Sequence, residues 1–322
     1  MIPRVAVAAR ESLRRHRAFV AAALVAWTLG AALGLPPRDA SAARPLFQIG
    51  KAHAEFTPAM DGSEPIFILF IGSDARPGQA VDRQRADSIH LVGINLEQHR
   101  AAILGFPRDS WVPIPGYGTQ KINASMVYGG PPLVVETVES LTGITIDYYV
   151  LTSFEGFKAM VDSIGGMVVE VQVPMFDRYA KTHFDPGRYR LNGHDTLGFA
   201  RDRHSLSSGD FGRSENQGRV FLFALRQFQK EYAKDPSRLL TWIGAGLRNT
   251  ESTLSIRETL ELAFTAASIS PKDIENMVTP GSTGSQGGAS VVYISSSAQA
   301  IYRDMADDGL VENKNLPPVQ VP

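Results

Sequence analysis

The sequence predicts an α/β protein, a single α/β/α sandwich domain with a central mixed sheet, set behind an N-terminal transmembrane helix. Three observations point there. Residues 66–71 (IFILFI) form an unbroken apolar run ending in Gly72, the pattern of a strand covered on both faces. Stretches of strand character then alternate with stretches of helical period, as in sheets that carry helices on both sides. Residues 18–35 (AFVAAALVAWTLGAALGL) hold no charge; as a helix they would measure about 27 Å, against a hydrocarbon core of roughly 30 Å.

Arg4, Arg10, Arg14, Arg15 and Arg17 precede that apolar run, with Glu11 the only acid among them. This arrangement puts residues 1–17 in the cytoplasm and everything after Leu35 outside it. Ala40-Ser41-Ala42 also suits signal-peptide cleavage. Retained or cleaved, the segment exports the rest, so the expected location is the cell membrane, single-pass, with an extracytoplasmic domain. Residues 36–65, rich in Pro and Ala and without period, read as a stalk, and residues 66–310 as the folded domain.

Within the domain, further strands are expected at 88–94, 101–106, 148–151, 168–173 and 291–294. One helical stripe joins Val134, Val135, Val138 and Leu141 within residues 132–142; another joins Phe154, Phe157, Val161 and Ile164. Ser214–Gln217 and Ser255–Glu258 have the form of capping boxes. Asp235-Pro236 and Ser270-Pro271 each place a capping residue before a Pro at the first helical position. Residues 281–290 (GSTGSQGGAS) read as a flexible loop and 311–322 as a frayed tail. There is no internal repeat and no sign of a second core.

Composition narrows the function. Over 322 residues, 32 Lys and Arg stand against 33 Asp and Glu, a net charge of −1. That excludes a generically basic nucleic-acid binder. Residues 1–17 carry +4, which leaves −5 on the remainder, so any anion must be held by a local cluster of cations. The basic residues are 24 Arg to 8 Lys, and Arg is the better bidentate partner for phosphate. Cysteine is absent, which rules out disulfides, thiolate zinc sites and a cysteine nucleophile. No GxSxG, HExxH, Walker A or strand-linked GxGxxG occurs either.

What remains is a set of acids and cations at expected strand ends, where ligands bind in α/β sheets. Asp74 and Arg76 follow the first apolar strand, and Arg85 and Asp87 open the next. Arg108 and Asp109 end a third, with Lys121 in the loop beyond. Arg201, Arg203, His204, Asp210, Arg213 and Gln217 form the densest group. Arg201 and Arg203 share a side if their segment is extended, and Arg213 would sit just ahead of a helix N-terminus. Taken singly, each piece has a plain structural reading: a solvated ion pair, a turn residue, a capping box, a structural histidine. Taken together they suggest a phosphate cradle with a carboxylate-bound metal. Asp74 and Asp87 would share Mg²⁺ (or Mn²⁺), which accepts one or two carboxylates plus phosphate oxygens.

In this order, ILFIGSDAR, RADSIHLVGIN, FPRDSWVPIPG, KINASMVYGG, IDYYVLTSFEGF, VDSIGGMVVEV and ARDRHSLSSGDFGRSENQ resemble the LytR–CpsA–Psr (LCP) family of cell-wall glycopolymer transferases. GGASVVY is similar to the closing segment of its actinobacterial-type members. The resemblance implies transfer of a glycopolymer from a polyprenyl-pyrophosphate-linked donor to a peptidoglycan acceptor at the membrane, releasing polyprenyl phosphate. It implies that Asp74 and Asp87 are metal-associated. Arg108, Arg201, Arg203 and Arg213 would bind pyrophosphate, with Lys121, Asp210 and Gln217 as further polar contacts; Arg76 and Arg85, at the same strand ends, are added as pyrophosphate-binding candidates from their position alone. Gly212 departs from the Asp that many members carry. Asp87 or Asp109 would take the acceptor's proton. Phe154, Phe157, Val161, Phe221, Leu225 and Phe228 are candidates to line a pocket for the lipid, although ordinary core packing is the plainer account of them. Two other functions fit the same residues: hydrolysis of the donor's pyrophosphate, and a membrane-tethered sensor that binds the polymer without turnover.

Overall fold

The computed structural model describes residues 47–53, 64–247 and 250–312. The expected cytoplasmic segment, the expected membrane span, most of the stalk and the end of the tail lie outside these residues. Among the described residues no helix is long and apolar enough to cross a membrane.

In chain order the elements are β1 (Phe47–Lys51), β2 (Ile66–Ser73), β3 (Ala86–Asn95), β4 (Arg100–Gly105), β5 (Trp111–Ile114), β6 (Gly118–Lys121), α1 (Ala124–Thr142) and β7 (Tyr148–Ser153). There follow α2 (Phe154–Ser163), β8 (Met167–Val171), β9 (Gly187–Leu191), α3 (Gly193–Arg201), α4 (Asp210–Lys234) and α5 (Arg238–Leu247). The remainder comprises β10 (Thr250–Ser252), α6 (Ile256–Ser268), β11 (Ile274–Val278), β12 (Gly281–Gln286), β13 (Ala289–Ile294) and α7 (Ala298–Asp308).

The apolar run becomes β2, near the middle of a seven-stranded sheet ordered β10-β1-β7-β2-β3-β4-β11. The sheet is mixed: β2 is parallel to β7 and antiparallel to β3. Alternate residues of β2 supply two cores. Phe67, Leu69 and Ile71 pack with Val134 and Val138 of α1 and with Ile301 and Met305 of α7. Ile66 and Ile68 point the other way, into a cluster with Ile269 that Leu262 of α6 covers. On that second side the ring of Phe70 lies 4.8 Å from that of Phe221 in α4. Because both faces are covered, the run has no polar alternation.

Several expectations change. The stalk contains β1, which is held between β7 and β10. Residues 281–290 are mostly strand, since β12 and β13 form a hairpin. The expected strand at 168–173 is β8, which pairs only with β9 and lies outside the main sheet. β8, β9, α2, α3 and α4 enclose a further apolar cluster around Val169, Phe199 and Phe223, so a second core does exist. α1 starts at Ala124 and breaks at Gly130 (φ 66°), ahead of Pro131 and Pro132. α4 starts at Asp210, so Ser214 and Gln217 lie inside it and form no cap. Ser270-Pro271 leads by a turn into β11, and α5 begins two residues after Pro236. The box at Ser255 caps α6 as expected.

The packing of α3 on α2 fixes the approach to the site, because α3 ends at Arg201. A β-carbon on Gly193 would stand 2.3 Å from the Lys158 carbonyl oxygen and 2.6 Å from its Cα. Backbone atoms cannot step aside as a flexible side chain can. Gly193→Ala should therefore push α3 off α2 and cost about 1–3 kcal/mol, read as a lowered urea midpoint with an unchanged slope.

Candidate active site

β2 and β3 part at a register shift between Gly72 and Ser73, a distortion that re-aims the side chains that follow. Asp74 and Arg85 then clamp the two strands together. The Asp74 N–H donates to the Arg85 carbonyl at 3.0 Å, and the Arg85 N–H donates to Asp74 Oδ1 at 3.1 Å. Two residues on, Asp87 is buried and accepts from Arg108 Nη1 at 2.5 Å. Arg108 follows β4 in a turn closed by the Ser110 N–H on the Pro107 carbonyl, and its own carbonyl accepts from the Asn123 N–H. Asp109 holds Lys121 Nζ at 2.9 Å. Three of the expected motifs thus meet at adjacent strand ends.

The fourth arrives through α3 and α4. Arg201 is the last residue of α3, at a helix end where an extended segment was expected, and Asp202 turns the chain out of the helix. Asp202 is fully buried, accepting from Thr182 Oγ1 at 2.5 Å and from Ser205 Oγ at 3.0 Å. With Asp202 anchored inward, Arg201 comes within electrostatic reach of Asp87 and Asp74, and Arg203 within that of Asp210. Arg201 stacks its guanidinium over the Phe154 ring, 4.7 Å from the centroid. Gly209 caps α4 at φ 55°, a left-handed conformation that glycine adopts without strain. Arg213 lies in the first turn of α4, buried and paired with Asp210. Gln217 Nε2 reaches the Asp87 carbonyl at 3.3 Å.

Electrostatics binds the group together. Burial and the nearby Asp87 charge raise the pKa of Asp74. Burial lowers Arg201, and the positive charges of Arg76 and Arg108 add to the effect against Asp87 and Asp74. Burial likewise lowers Arg213 against the pull of Asp210, with Arg108 and Arg203 contributing. For Arg108, burial acts downward but Asp87, Asp109 and Asp210 outweigh it, and its pKa rises. Arg76 and Arg85 stand exposed at the rim. The cluster holds seven cations and four carboxylates, a local excess of positive charge on a domain that is negative overall. Among the described residues, buried Arg108 Nε has no hydrogen-bond partner and stands 3.9 Å from Asp109 Oδ2.

Asp74 and Asp87 fit a divalent cation only in part. They are close enough for one charge to perturb the other, and a cation would relieve that repulsion. Among the described residues no group of three or more His, Cys, Asp or Glu could hold a metal. The donor set therefore suits an ion that completes its shell with water and ligand phosphate, as Mg²⁺ does.

Beside the cations lies an apolar cavity of about 220 Å³, lined by Phe70, Phe154, Phe157, Val220, Phe221 and neighbouring residues, with Asp87, Arg201 and Gln217 also in its wall. Leu225 lines a second cavity of about 350 Å³, which shares Phe70, Val150 and Phe221 with the first. Val161 and Phe228 do not line either. Val161 is fully buried in the core around Phe199, and Phe228 packs its ring on Trp242 and Tyr232. A helical stripe alone cannot separate lining from core, because both faces are apolar.

Sequence reasoning missed the residues that hold the site. His90 is completely buried; its Nε2–H donates to the Ser214 carbonyl at 2.9 Å while Nδ1 accepts from Ser88 Oγ at 3.1 Å. This ties the first turns of α4 to β3, next to Asp87. Asp177, also buried, accepts from the backbone N–H groups of Tyr179, Arg203 and His204 and from the His204 ring at 2.7 Å. Burial acts to raise its pKa, but these hydrogen bonds prevail and hold it well below the usual carboxylate range. Only the alternation around Asp202 carried a signal. His204 is half exposed and serves this bracket.

A mixed sheet that gathers guanidinium groups at its strand ends, beside an apolar cavity, defines an α/β domain suited to a phosphate carried on an apolar group. The LytR_cpsA_psr family model matches residues 42–306, and the chain belongs to that family. A relative from Bacillus cereus named polyisoprenyl-teichoic acid–peptidoglycan teichoic acid transferase TagU is 34% identical over 166 residues, 51% of this chain and 53% of that protein. The chain spans about half the length of the curated relatives it matches. The crystal structure of TagV from B. subtilis superposes with a TM-score of 0.65 at 28% identity, over 76% of this chain and 96% of that one. YwtF (TagT) of Bacillus subtilis, solved with bound octaprenyl pyrophosphate lipid, shares the fold, with a TM-score of 0.58 at 22% identity over 84% of this chain and 98% of that one.

The buried His90 carries a pH signature. Burial, opposed by its bond to Ser214, lowers its pKa from 6.5 to about 4. Below pH 6.5 the unfolded imidazole takes up a proton that the folded one refuses until about pH 4. Stability is thus present above pH 6.5 and lost as pH falls through that window, by ~3 kcal/mol in total. Asp147, pushed up to about 6 by burial, acts in the opposite sense and would mask the loss in wild type alone. It cancels in the difference between wild type and His90→Gln. Urea unfolding of the pair at stepped pH should show the wild-type advantage shrinking between pH 6.5 and 4; a constant difference would contradict the assignment.

Proposed function

We propose that the protein transfers a polyprenyl-pyrophosphate-linked glycopolymer, with its sugar-linked phosphate, to a hydroxyl of peptidoglycan and releases polyprenyl phosphate. The observation that carries this reading is the contact of Arg201 with Phe154, where the cation cluster meets the apolar cavity. An amphiphile with an anionic head and an apolar tail matches both halves. The names of the relatives agree in substrate class. The charge-free run at 18–35 would anchor the chain as a single-pass protein, N-terminus cytoplasmic and domain outside, next to a membrane-borne donor.

In the reaction the acceptor oxygen attacks the sugar-linked phosphorus, the bridging P–O bond breaks, and polyprenyl phosphate leaves with the bridging oxygen. Arg108, Arg201, Arg203 and Arg213 position the pyrophosphate and offset the charge that spreads over its oxygens. A phosphate engaging the Arg108 guanidinium would loosen its hold on Asp87. Asp74 and Asp87 would hold Mg²⁺, which when bound supplies further neutralisation of the phosphate oxygens. Asp109 would then accept the acceptor proton, once phosphate competes for Lys121, while Asp210 stays paired with Arg213. Arg201 on Phe154 closes the cavity over the first part of the lipid and keeps water from the polar mouth.

Asp87→Ala and Arg203→Ala should each lower transfer at least ~100-fold with an unchanged far-ultraviolet dichroism spectrum. The assay uses lipid-linked donor and peptidoglycan and identifies the linkage by mass spectrometry. Chelation should remove activity and Mg²⁺ or Mn²⁺ restore it. Wild-type rates in both variants, or release of free glycan phosphate without attachment, would refute this function.

A further inference from the structure

A third concavity is away from the site. A groove of about 410 Å³ runs between the β8–β9 hairpin and the later turns of α4, with Arg188, Arg190, Arg226, Lys230 and Lys234 in its walls. Arg226, Lys230 and Lys234 recur every four residues and so share one face of α4, spaced by about 6 Å along its axis. Arg219, seven residues before Arg226, extends the same stripe toward the site, with Nη2 on the Glu170 carbonyl and its guanidinium near the Phe223 ring. From Arg219 to Lys234 the stripe covers about 22 Å, and it begins only about 9 Å along the helix from Arg213. Across the groove Arg188 and Arg190 sit two apart on β9 and therefore point the same way.

The acids offset only part of this charge. Glu231 is committed to Arg238 at 2.6 Å, to Trp242 Nε1 at 3.0 Å and to Gln227 at 3.0 Å. Glu170 stands opposite Arg188 in the hairpin register. Among the described residues Arg188, Arg226, Lys230 and Lys234 make no ion pair within 4 Å. A solvated surface would not collect five cations in a trough on a body whose net charge is negative.

We infer that this groove is a track for a linear polyanion, the charged repeating chain of the glycopolymer whose pyrophosphate end occupies the active site. Shape favours a chain over a lipid surface, because the cations line a concave channel, whereas a bilayer presents a plane. The even spacing along α4 suits charges that repeat along a polymer, and the stripe begins under two turns beyond Arg213, about a third of a turn around the helix from it. The inference rests on the transfer reading for the identity of the chain. It adds to that reading that the polymer is held well beyond the phosphate at which it is transferred.

The test uses full-length protein in phosphatidylcholine nanodiscs and a fluorescent poly(glycerol phosphate) oligomer, with neutral dextran as control. The expected result is binding of the polyanion that falls steeply with added salt, and no binding of dextran. Arg226→Gln/Lys230→Gln/Lys234→Gln should weaken polyanion binding by about tenfold or more and leave pyrophosphate binding unchanged. It should slow transfer from a polymeric donor but not from a donor carrying a single sugar. Equal affinity of wild type and variant for the polyanion, or equal binding of dextran, would overturn the track. So would slower acetylation of Lys230 and Lys234 (with exposed Lys181 as reference) in discs containing phosphatidylglycerol but not with added polyanion, which would assign the groove to the membrane. Polyanion binding that depends on these residues, in a protein that transfers nothing, would leave the track standing and defeat only the transfer reading.

Discussion

Like charges do not gather without a reason to stay, and the structure depends on how it holds seven cations at one mouth. Asp87 is the central restraint. It neutralises Arg108 at 2.5 Å, lends its carbonyl to Gln217, and lies within electrostatic reach of Arg201 and Arg213. Asp109 does the same for Lys121, and Asp210 for Arg213. Each acid is buried or nearly so, where a pair is strong but costly to desolvate. The remaining excess of positive charge is what the fold leaves for a ligand.

The positions of these charges come from elements that do no chemistry. α4 is the spine: its first turn carries Asp210 and Arg213, His90 fastens it to β3 through Ser214, and its middle turns line the apolar cavities. α3 delivers Arg201 only because Gly193 lets it approach α2 closely. Asp177 and Asp202 shape the segment between α3 and α4 from beneath. The interior polar network is therefore a mounting, and its loss would scatter the cations without altering any of them.

This division explains what the sequence could and could not disclose. β2 was legible because burial on both faces removes polar residues, and the strand-end acids because sheets expose their ends to ligands. The convergence of the Arg motifs follows from a resemblance of ordered motifs rather than from spacing, since no local pattern reveals which loops meet. Residues 281–286 are rich in Gly and Ser, poor strand formers, yet they pair because Gly287 and Gly288 adopt positive φ and close a hairpin onto β13. The Ser214 box mimics a helix start, but His90 claims its carbonyl and Gln217 serves Asp87. His90 itself was invisible: one histidine in an apolar strand gives no sign of what lies 124 residues away.

The contact between Arg201 and Phe154 joins the two halves of the problem. A guanidinium is weakly hydrated and planar, so it can lie on an aromatic face and still direct its N–H groups at an oxygen. Lysine could supply the charge but not the flat lid. Burial lowers the pKa of Arg201, which expresses the same fact energetically: the side chain has given up water before any ligand arrives. An anion entering there replaces hydration already lost, and the apolar group it carries meets a wall already dry. On the proposed function, selectivity for a molecule with both properties would follow where Arg201 joins the two halves, since a free phosphate leaves the cavity empty and a plain lipid leaves the guanidinium groups without a partner.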